Sequence, residues 1–600
     1  MDLSKLHIHW RASKYKGKTY KSYSLARAYR KDGKNRKEIV LPLGKLSEED
    51  LKRWKIFIEA IKKPDMMLTN FDEIEVLKHY KYLDLAAVNH IWEEWSLDKP
   101  FTGHPDEEVE LSKIARILTI NRCIEPTSKS QVVEWFQGTW LSHLLKVNHE
   151  KINVSRIFRD LSYIEDCKEQ ICKHLYENLN RRKPDSMQSF FYDLSSATFS
   201  GNKCILMEWG HCKEGYFNHV VLALVVNKDG LPIYWEVLEG NTADSSTITW
   251  LLNRLGKLLP VKNITLVFDR GMVSDDNLIL LEAEGYKYIS AMDRNQLEKT
   301  ADNVDFLQYN HFDPQKIEQQ INETGDFTRL NDTTYYKEIK TVNQRRYILC
   351  FNPQLFKDQR KARDAAIENF RKFVERLNEE LLLAKNSRNE EATKGKFLKQ
   401  LSKLKLKNII DILIKGVEIR TRDKNGKEKI VKTCKCIIEP IDHHKINEAG
   451  KLDGFWLLVT NHNENENGRF LMTPGDAIKP YRDKNIIESA FRNIKSFIEI
   501  EPINVWTEKH VKAHFTICVL AYFINRMIGM RLHHNQGDLT KDVISHQSAY
   551  KILSEGSIDK IRIKNVAVQG YKLSGLNEYI YEIVNRLKMS EITRVKHVMD

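Results

Sequence analysis

The sequence predicts an α/β protein in which a mixed β-sheet carries helices on its flanks. Between residues 187 and 300, extended apolar segments come first and then alternate with segments of helical periodicity. Hydrophobic residues make up 42% and charged residues 30% of the 600 residues, which is typical of a globular chain. A chain of this length can form several domains with at least one large core.

The segments of this region follow a definite order. Three apolar segments favour antiparallel strands, and Lys228-Asp229-Gly230 forms a hairpin turn between the second and the third. A helix, a strand, a helix that Ser274 caps and Gly285 ends, and a last strand follow. In chain order these segments are MQSFFYDLSSATFSG, FNHVVLALVVNKDG, LPIYWEVLEG, TITWLLNRLGKLL, NITLVFD, SDDNLILLEAEG and YKYISAMD. This is the order of an RNase H-like fold.

Further regions surround this predicted fold. Residues 300–451 contain a highly charged helical stretch flanked by strand-like pieces, and we interpret them as a large insertion domain. An independent domain between two catalytic halves is the alternative. The predicted regions are an N-terminal β-hairpin region (1–50), a helical DNA-binding region (51–185), the RNase H-like domain in two parts (186–299 and 452–545) on either side of the insertion (300–451), and a C-terminal helical tail (546–600).

Two N-terminal features bear on DNA binding. A hairpin is predicted around Asp32-Gly33, and its lysines and arginines could contact DNA or serve only solubility. The helical segments that follow form either a helix-turn-helix DNA reader or a plain packing module.

The chain is basic, with a formal net charge of +13 and a pI of about 9.0. Lysine and arginine release counterions from phosphates, so this surplus favours a nucleic-acid partner, although a basic soluble protein is the plainer explanation. No apolar stretch reaches 18 residues, and the N-terminus lacks an apolar run behind its charges. We therefore expect neither a membrane span nor a secretory signal. Nine scattered cysteines are typical of reduced thiols in a cytoplasmic protein.

The segment PYRDKNIIESAFRNIKSF concentrates charge on one side of a predicted helix. At 100° per residue, one face about 80° wide carries a tyrosine, an acid and three bases. These residues are Tyr481, Lys484, Glu488, Arg492 and Lys495. One carboxylate among bases suits a helix that holds a cation and grips phosphates. Amphipathic helices also carry such spacings for i,i+4 pairing alone.

Two acidic residues lie on predicted strands that neighbour each other in an RNase H-like sheet. Asp193 belongs to the first strand, and Asp269 ends the fourth. A carboxylate at the end of an apolar strand is costly unless it is paired, and Mg²⁺ pairs with it readily because it prefers oxygen ligands. Glu488, from a helix leaning on the sheet, would complete a site for two ions. Asp293 also ends a strand, but one strand further on, and we interpret it as a capping residue.

These segments resemble the DDE transposases of bacterial insertion sequences, in the insertion-sequence-four-like group marked by a Tyr-x2-Arg-x3-Glu-x6-Lys signature. The match is to Tyr481, Lys484, Glu488 and Lys495. Lys484 stands where the signature has arginine, which keeps the charge and loses the bidentate fork. The likeness covers residues 187–295 and 452–530, and the N-terminal hairpin is similar to that of one branch of the group.

The resemblance implies a DNA transposase that cuts the ends of an insertion sequence and joins them to target DNA by a cut-and-paste route. It implies that Asp193, Asp269 and Glu488 are catalytic and hold two Mg²⁺ or Mn²⁺ ions. The DNA-contacting side chains would be Tyr481, Lys484, Arg492 and Lys495.

The partners implied are double-stranded DNA, as terminal inverted repeats and target, and a second subunit in a homodimer. The place implied is the nucleoid of a bacterial cytoplasm. The alternative function is a catalytically silent DNA-binding relative that acts as an inhibitor or a host factor.

Overall fold

The computed structural model describes residues 3–63, 68–102, 108–201, 203–212, 215–258, 264–422, 426–535, 544–564 and 568–594. The chain divides into two units. Unit 1 comprises Met1–Asp84, Gly138–Leu144 and Ala549–Asp600, and unit 2 comprises Leu85–Gln137 and Leu145–Ser548.

The helices of the described residues are, in chain order, α1 (Glu48–Lys62), α2 (Leu83–Glu94), α3 (Leu111–Ile124), α4 (Val132–Gln137), α5 (Leu141–Leu144), α6 (Val154–Asp166), α7 (Lys168–Arg182), α8 (Thr247–Leu258), α9 (Asp275–Ala283), α10 (Arg294–Thr300), α11 (Ile317–Glu323), α12 (Pro353–Leu382), α13 (Glu390–Lys403), α14 (His443–Gly450), α15 (Pro474–Asp483), α16 (Asn485–Ser496), α17 (Glu508–His534), α18 (His546–Leu553) and α19 (Glu578–Leu587).

The strands are β1 (Leu6–Tyr15), β2 (Lys18–Lys31), β3 (Lys34–Gly44), β4 (Ile74–Lys81), β5 (Ser189–Thr198), β6 (Glu208–Cys212), β7 (Gly215–Asn227), β8 (Pro232–Leu238), β9 (Thr265–Phe268), β10 (Lys287–Ala291), β11 (Thr328–Asn331), β12 (Thr334–Val342), β13 (Arg345–Phe351), β14 (Ile412–Arg422), β15 (Glu428–Ile438), β16 (Phe455–Thr460), β17 (Asn465–Glu466), β18 (Arg469–Phe470), β19 (Ser557–Ile563) and β20 (Val568–Ser574).

The central strands of the large sheet of unit 2 have the predicted order, and β6 is a further strand that the sequence did not indicate. The strand order of the sheet is β11-β12-β13-β16-β10-β9-β5-β7-β6, and β8 also pairs with β7. β9 lies parallel to both β5 and β10, whereas β7 is antiparallel to β5 and to β8. From β8 through β7, β5 and β9 to β10, the spatial order is third, second, first, fourth and fifth, which is the RNase H-like order. The predicted fold class, a mixed sheet flanked by helices, is confirmed.

The predicted insertion is not a body apart from this sheet. Its strands β11, β12 and β13 continue the sheet beyond β16, and β13 pairs antiparallel with β16. The rest of the insertion surrounds a core of its own, which includes Phe370, Phe397 and Leu401. The pairing of Phe351 with Phe455 joins positions far apart in sequence, so local periodicity could not reveal it.

The N-terminal part of unit 1 follows the sequence pattern. The turn at Asp32-Gly33 joins β2 to β3 as predicted, and β1 completes a three-stranded sheet. Ser47 caps α1 by accepting a hydrogen bond from the Asp50 N–H. Leu6, Leu25 and Ile58 form the small core between this sheet and α1.

The second sheet of unit 1 lies in two regions for which the sequence predicted mainly helices. β4 pairs with β19, and β19 pairs with β20. The region 51–185 therefore contains a strand among its helices, and 546–600 contains two strands beside α18 and α19. The register pairs Tyr80 with Ile558, so β4 and β19 come from nearly opposite ends of the chain. The local sequence of neither strand indicates this pairing.

α17 is the main core helix of unit 2. Within the described ranges it is the one helix long and apolar enough to cross a membrane, and 78% of its most apolar window is buried inside the protein. The Trp235 indole N–H donates to Thr516 Oγ1 over 3.0 Å, which ties β8 to this helix. Such burial is typical of a core helix.

A cluster of charged side chains lies where β8 meets α6, α7 and α17. Lys168 Nζ pairs with Glu236 Oε2 at 2.6 Å, and Lys512 Nζ lies 3.9 Å from Glu236 Oε1. Beside them, Thr516 Oγ1 donates to Glu165 Oε2 over 3.5 Å. Burial raises the pKa of Glu165 to about 7, against the opposing charge of Lys168.

The raised pKa of Glu165 makes the stability of unit 2 depend on pH. Between pH 4.5, the ordinary value, and about 7, the folded carboxyl keeps a proton that the unfolded chain has released. Stability therefore falls as the pH rises through this window.

We expect the free energy of unfolding of wild type, relative to that of Glu165→Gln, to decline between pH 5 and pH 7.5 in urea titrations. Glu177→Gln, at an exposed position of α7, is the control, and the difference in free energy of unfolding between wild type and this variant should stay constant over the same range. A constant difference between wild type and Glu165→Gln would contradict the assignment.

The turn between β7 and β8 supports α16. Gly230 has φ +77°, and a Cβ there would lie 2.8 Å from Ile486 Cγ1 on α16. Arg526 Nε donates to the Asp229 carbonyl over 2.8 Å, which fixes the same turn from α17. The turn therefore needs glycine both for its backbone conformation and for the approach of α16.

Gly230→Ala should destabilise unit 2 by about 2–5 kcal/mol, because it adds overpacking of about 1–3 kcal/mol to a left-handed backbone cost of about 1–2 kcal/mol. Gly285→Ala is the matched control, since Gly285 has φ +78° and a Cβ added there would meet no atom of the described residues within 4 Å. The Gly285→Ala variant should be destabilised only by the cost of the left-handed backbone conformation. Urea denaturation followed by tryptophan fluorescence measures both, and equal losses would show that contact with Ile486 is unimportant.

Candidate active site

Asp193 and Asp269 follow the last registered pair of β5 and β9. The parallel register sets Tyr192 beside Phe268, so the next residue of each segment is a carboxylate. All four residues of β9 are buried, and the chain reaches solvent at Asp269, whose side chain is 43% exposed. Asp193 is half-buried. The structure thus brings these two predicted site residues to one edge of the sheet.

Each of these carboxylates accepts a hydrogen bond from the next backbone amide. Asp193 Oδ1 accepts from the Leu194 N–H over 2.9 Å, and Asp269 Oδ1 accepts from the Arg270 N–H over 2.7 Å. Bonds of this kind stabilise the ionised form and restrict the carboxylate rotamer.

The signature segment forms two helices where the sequence predicted one. α15 ends at Asp483, α16 begins at Asn485, and Lys484 lies between them. Pro480 inside α15 lacks the N–H for a helical hydrogen bond, and its ring crowds the carbonyl four residues earlier. The Lys484 N–H bonds instead to the Tyr481 carbonyl three residues back, over 3.4 Å. The predicted single face is therefore shared between two helices.

α16 has the predicted amphipathic character. Its buried side chains are Ile487, Ala490, Phe491 and Ile494. They pack the helix against β5 and β7, so that the helix leans on the strand that carries Asp193. Glu488 and Arg492 lie on its exposed side.

Asp269 forms an ion pair with Lys484. The Nζ–Oδ1 distance is 3.0 Å, and the Lys484 side chain is 11% exposed. Burial alone would raise the pKa of Asp269, but the charge of Lys484, its hydrogen bond and the Arg270 N–H together lower that pKa. The predicted phosphate contact Lys484 is thus directed at a carboxylate of the candidate site.

Tyr481 lies among the same charges. Its ring stacks on Trp456 of β16, with centroids 5.5 Å apart and an interplanar angle of 25°. Burial raises the pKa of Tyr481, and the negative charges of Asp269 and Glu488 raise it further. Both carboxylates therefore act electrostatically on one phenol, which keeps its proton at neutral pH.

The remaining predicted DNA contacts differ in their surroundings. Lys495 Nζ lies 3.6 Å from Glu501 Oε1, and Glu501 Oε2 accepts a hydrogen bond from the Thr198 N–H over 2.9 Å. Lys495 is thereby linked to the end of β5. Arg492 is exposed on the solvent side of α16.

Asp244 is a fourth carboxylate at this edge, and the sequence led to no prediction of a role for it in the site. A Cβ at Gly271 would lie 3.3 Å from Asp244 Oδ2, which places Asp244 beside the turn that follows Asp269. Burial raises the pKa of Tyr192, and the charges of Asp193 and Asp244 add to the rise. In the sequence, Asp244 is only an acidic residue between a strand and a helix. Acidic residues are common where a helix begins, so this position alone did not indicate a site.

The donor set suits a hard divalent cation, because Mg²⁺ and Mn²⁺ prefer carboxylate oxygens. In the part of the chain that the structure describes, no group of three or more His, Cys, Asp or Glu residues is spaced to hold a metal ion. The Lys484 ammonium instead supplies positive charge to Asp269. Oxygen ligands suited to a divalent ion are supplied by Asp193 and Asp269 at the sheet edge and by Glu488 on α16.

Comparisons with known proteins agree with this description. A model of the IS1634 family transposase N-terminal domain matches residues 8–65, and a model of the transposase DDE domain matches residues 196–524. No curated protein gives a significant match.

Solved structures give distant likenesses. The cryo-EM structure of the piggyBac transposase synaptic complex with hairpin DNA is 9% identical, with a TM-score of 0.33, over 78% of this chain and 76% of that chain. The Mos1 transposase paired-end complex with left transposon end is 12% identical, with a TM-score of 0.13, over 41% and 68%. The Mos1 mariner paired-end complex with Mn is 14% identical, with a TM-score of 0.13, over 40% and 78%.

The DDE-domain match spans more than half of the 600 residues and includes Asp269 and Glu488. It confirms the prediction of an insertion-sequence transposase, an enzyme that acts on DNA and uses divalent metal ions. The N-terminal match and the RNase H-like strand order agree with this family assignment. The chain belongs to the DDE transposase family.

Proposed function

We propose that Asp193, Asp269 and Glu488 catalyse the cleavage of insertion-sequence ends and their transfer into target DNA. The adjacency of Asp193 and Asp269 across β5 and β9 carries this proposal. α16 supports it by packing against β5 with Glu488 on its exposed side. All three positions keep the carboxylates that phosphoryl transfer with divalent ions needs.

The reaction proposed is an in-line displacement at phosphorus. Asp193, Asp269 and Glu488 would hold two Mg²⁺ or Mn²⁺ ions, which when bound stabilise charge on the attacking and leaving oxygens. The attacking water or 3′-hydroxyl gives its proton to solvent and forms the new P–O bond, while the bond to the old 3′ oxygen breaks and this oxygen takes up a proton from solvent. No covalent protein–DNA bond is required.

The basic residues would position the DNA backbone. Tyr481 keeps its proton, so it suits a hydrogen bond to phosphate better than nucleophilic attack. Arg492 projects from α16 beside Glu488 and can bind phosphate. Lys484 and Lys495 would exchange their carboxylate partners for phosphates as DNA enters.

The finer classification and the assembly also belong to this proposal. Tyr481, Lys484, Glu488 and Lys495 keep the spacing of the insertion-sequence-four-like signature. The net charge of +13 suits double-stranded terminal inverted repeats and target DNA as partners. We place the protein in the bacterial cytoplasm, on the nucleoid, as a homodimer that joins two element ends.

Replacing any catalytic carboxylate should abolish cleavage and spare DNA binding. Asp193→Asn, Asp269→Asn and Glu488→Gln should each lower the Mg²⁺-dependent cleavage rate at least about 100-fold, since each removes transition-state electrostatic stabilisation. The substrate is a duplex that carries the inverted repeat flanking the gene, and gel shift in EDTA measures binding.

Asp293→Asn is the matched control for these variants. Asp293 follows the neighbouring strand β10 and forms a capping box with Gln296, which asparagine can largely preserve. Its cleavage rate should stay near wild type. A carboxylate variant that cuts normally would remove that residue from the site, and wild type that binds without cutting would favour the silent DNA-binding relative.

Lys484 should compete with divalent cations for Asp269. Lys484→Met removes the ammonium 3.0 Å from Asp269 Oδ1, so Mg²⁺ should raise the melting temperature of this variant more than that of wild type. Lys479→Met, at an exposed position of α15, is the control and should behave as wild type. Equal Mg²⁺ shifts in all three proteins would show that Lys484 does not occupy the cation position.

A further inference from the structure

A polar cavity of about 220 Å³ lies in unit 2, beside the loop that connects α16 to α17. This volume is several times the ~30 Å³ share of one water molecule in the liquid. Arg122, Ser128, Lys129 and His514 are among the residues that line it, and exposed residues such as Gln131 form its rim. The cavity is therefore large and polar enough for a small hydrated or ionic ligand.

The inner wall of this cavity is basic and buried. Lys129, Arg122 and His514 are 6%, 7% and 5% exposed. His514 Nε2 lies 3.1 Å from the Ile500 carbonyl, which can only accept, so Nε2 carries the proton and Nδ1 is an acceptor. Lys129 Nζ donates to this Nδ1 over 3.3 Å. An ammonium has three N–H donors, so two further donors of Lys129 remain for the cavity.

Arg122 also brings an unused donor. Its terminal nitrogens donate to the carbonyls of Thr127, Ile498 and Glu499, at 2.8, 3.3 and 3.2 Å. Its Nε is buried and has no hydrogen-bond partner among the residues that the structure describes. A buried guanidinium nitrogen without an acceptor is costly unless a ligand satisfies it.

Carboxylates do not neutralise this basic wall. Within the described ranges, no carboxylate forms an ion pair with Lys129, and the neighbouring charge that acts on it most strongly is that of Arg122. Glu501 lines the cavity but is engaged by Lys495 and the Thr198 N–H, and Glu499 is exposed at the rim. Burial, and then the charge of Arg122, lower the pKa of Lys129. An anion in the cavity would oppose this lowering, because a nearby negative charge favours the protonated form of lysine.

We propose that this cavity is an oxyanion-binding site that takes a phosphate group through Lys129 and Arg122. The cavity holds a buried ammonium beside a buried guanidinium, and among the described residues neither is paired with a carboxylate. A ligand with negative charge and several acceptor oxygens would complement both their charge and their unused hydrogen-bond donors. Because Arg122 holds the carbonyls of Ile498 and Glu499, the bound group would stiffen the loop that follows α16. The site is distinct from the carboxylate edge, and its test needs no catalysis.

Inorganic phosphate is the probe for the first measurement. Wild type should gain melting temperature with phosphate, in a saturable manner, relative to chloride at equal ionic strength. Lys129→Met should weaken the apparent phosphate affinity at least about tenfold, because a charge-assisted hydrogen bond is lost. Lys173→Met, at an exposed position of α7, should keep wild-type affinity. Methionine replaces a buried charge with an apolar chain of similar length, so we expect the variant to fold.

A second measurement separates DNA phosphate from free phosphate as the ligand. Duplex binding is measured as a function of salt for wild type and Lys129→Met. If the DNA backbone supplies the group, the variant lowers the slope of log K against log salt by about 0.9 and phosphate competes with DNA. If free phosphate is the ligand, the slope is unchanged while phosphate stabilisation is lost. The proposal is overturned if phosphate gives no saturable effect on wild type, or stabilises Lys129→Met equally.

Discussion

The parallel pairing of β5 with β9 is the contact on which the candidate site depends. It sets the residue after Tyr192 beside the residue after Phe268, and both of these following residues are aspartates. The apolar side chains of the two strands hold this register, because a slip of one residue would turn a buried side chain towards the opposite face. The free energy that fixes the two carboxylates therefore comes from the core of the sheet and not from the carboxylates themselves.

Electrostatics then decides the state of that edge. Asp193, Asp244 and Asp269 bring negative charge to this edge, and α16 adds Glu488 to the same region. Lys484 offsets part of this negative charge by pairing with Asp269. A lysine in this position is suited to such a role, because its flexible chain and single point charge allow it to move aside. The site is thus built to accept positive charge from outside the chain.

The elements around this edge are coupled through the β7–β8 turn and the loop after α16. Gly230 contacts α16, and the Asp229 carbonyl accepts a hydrogen bond from α17. Both helices are therefore held in position against the central strands. Glu501 ties the loop after α16 to the end of β5. The contacts at Gly230 and Glu501 support the helix bearing Glu488 near its start and beyond its end, which limits its freedom relative to Asp193.

Local patterns in the amino-acid sequence were enough to specify the order of strands and helices from β7 to β10, the hairpin turns, the cap of α9 and the residue types of the site. These follow from periodicity, from glycine at positive φ and from polar residues at helix starts, all of which act over a few residues. The same patterns indicated Asp193 and Asp269 as neighbours, once the element order had given the sheet topology.

The long-range pairings were established only by the folded chain. The joining of β13 to β16 and of β4 to β19 depends on segments distant along the chain, and no local pattern encodes the partner. The break at Lys484, its ion pair with Asp269, the presence of Asp244 and the buried Lys129 likewise arise from packing. Burial and electrostatic contact are properties of the assembled core, so they could not be derived from residue spacing.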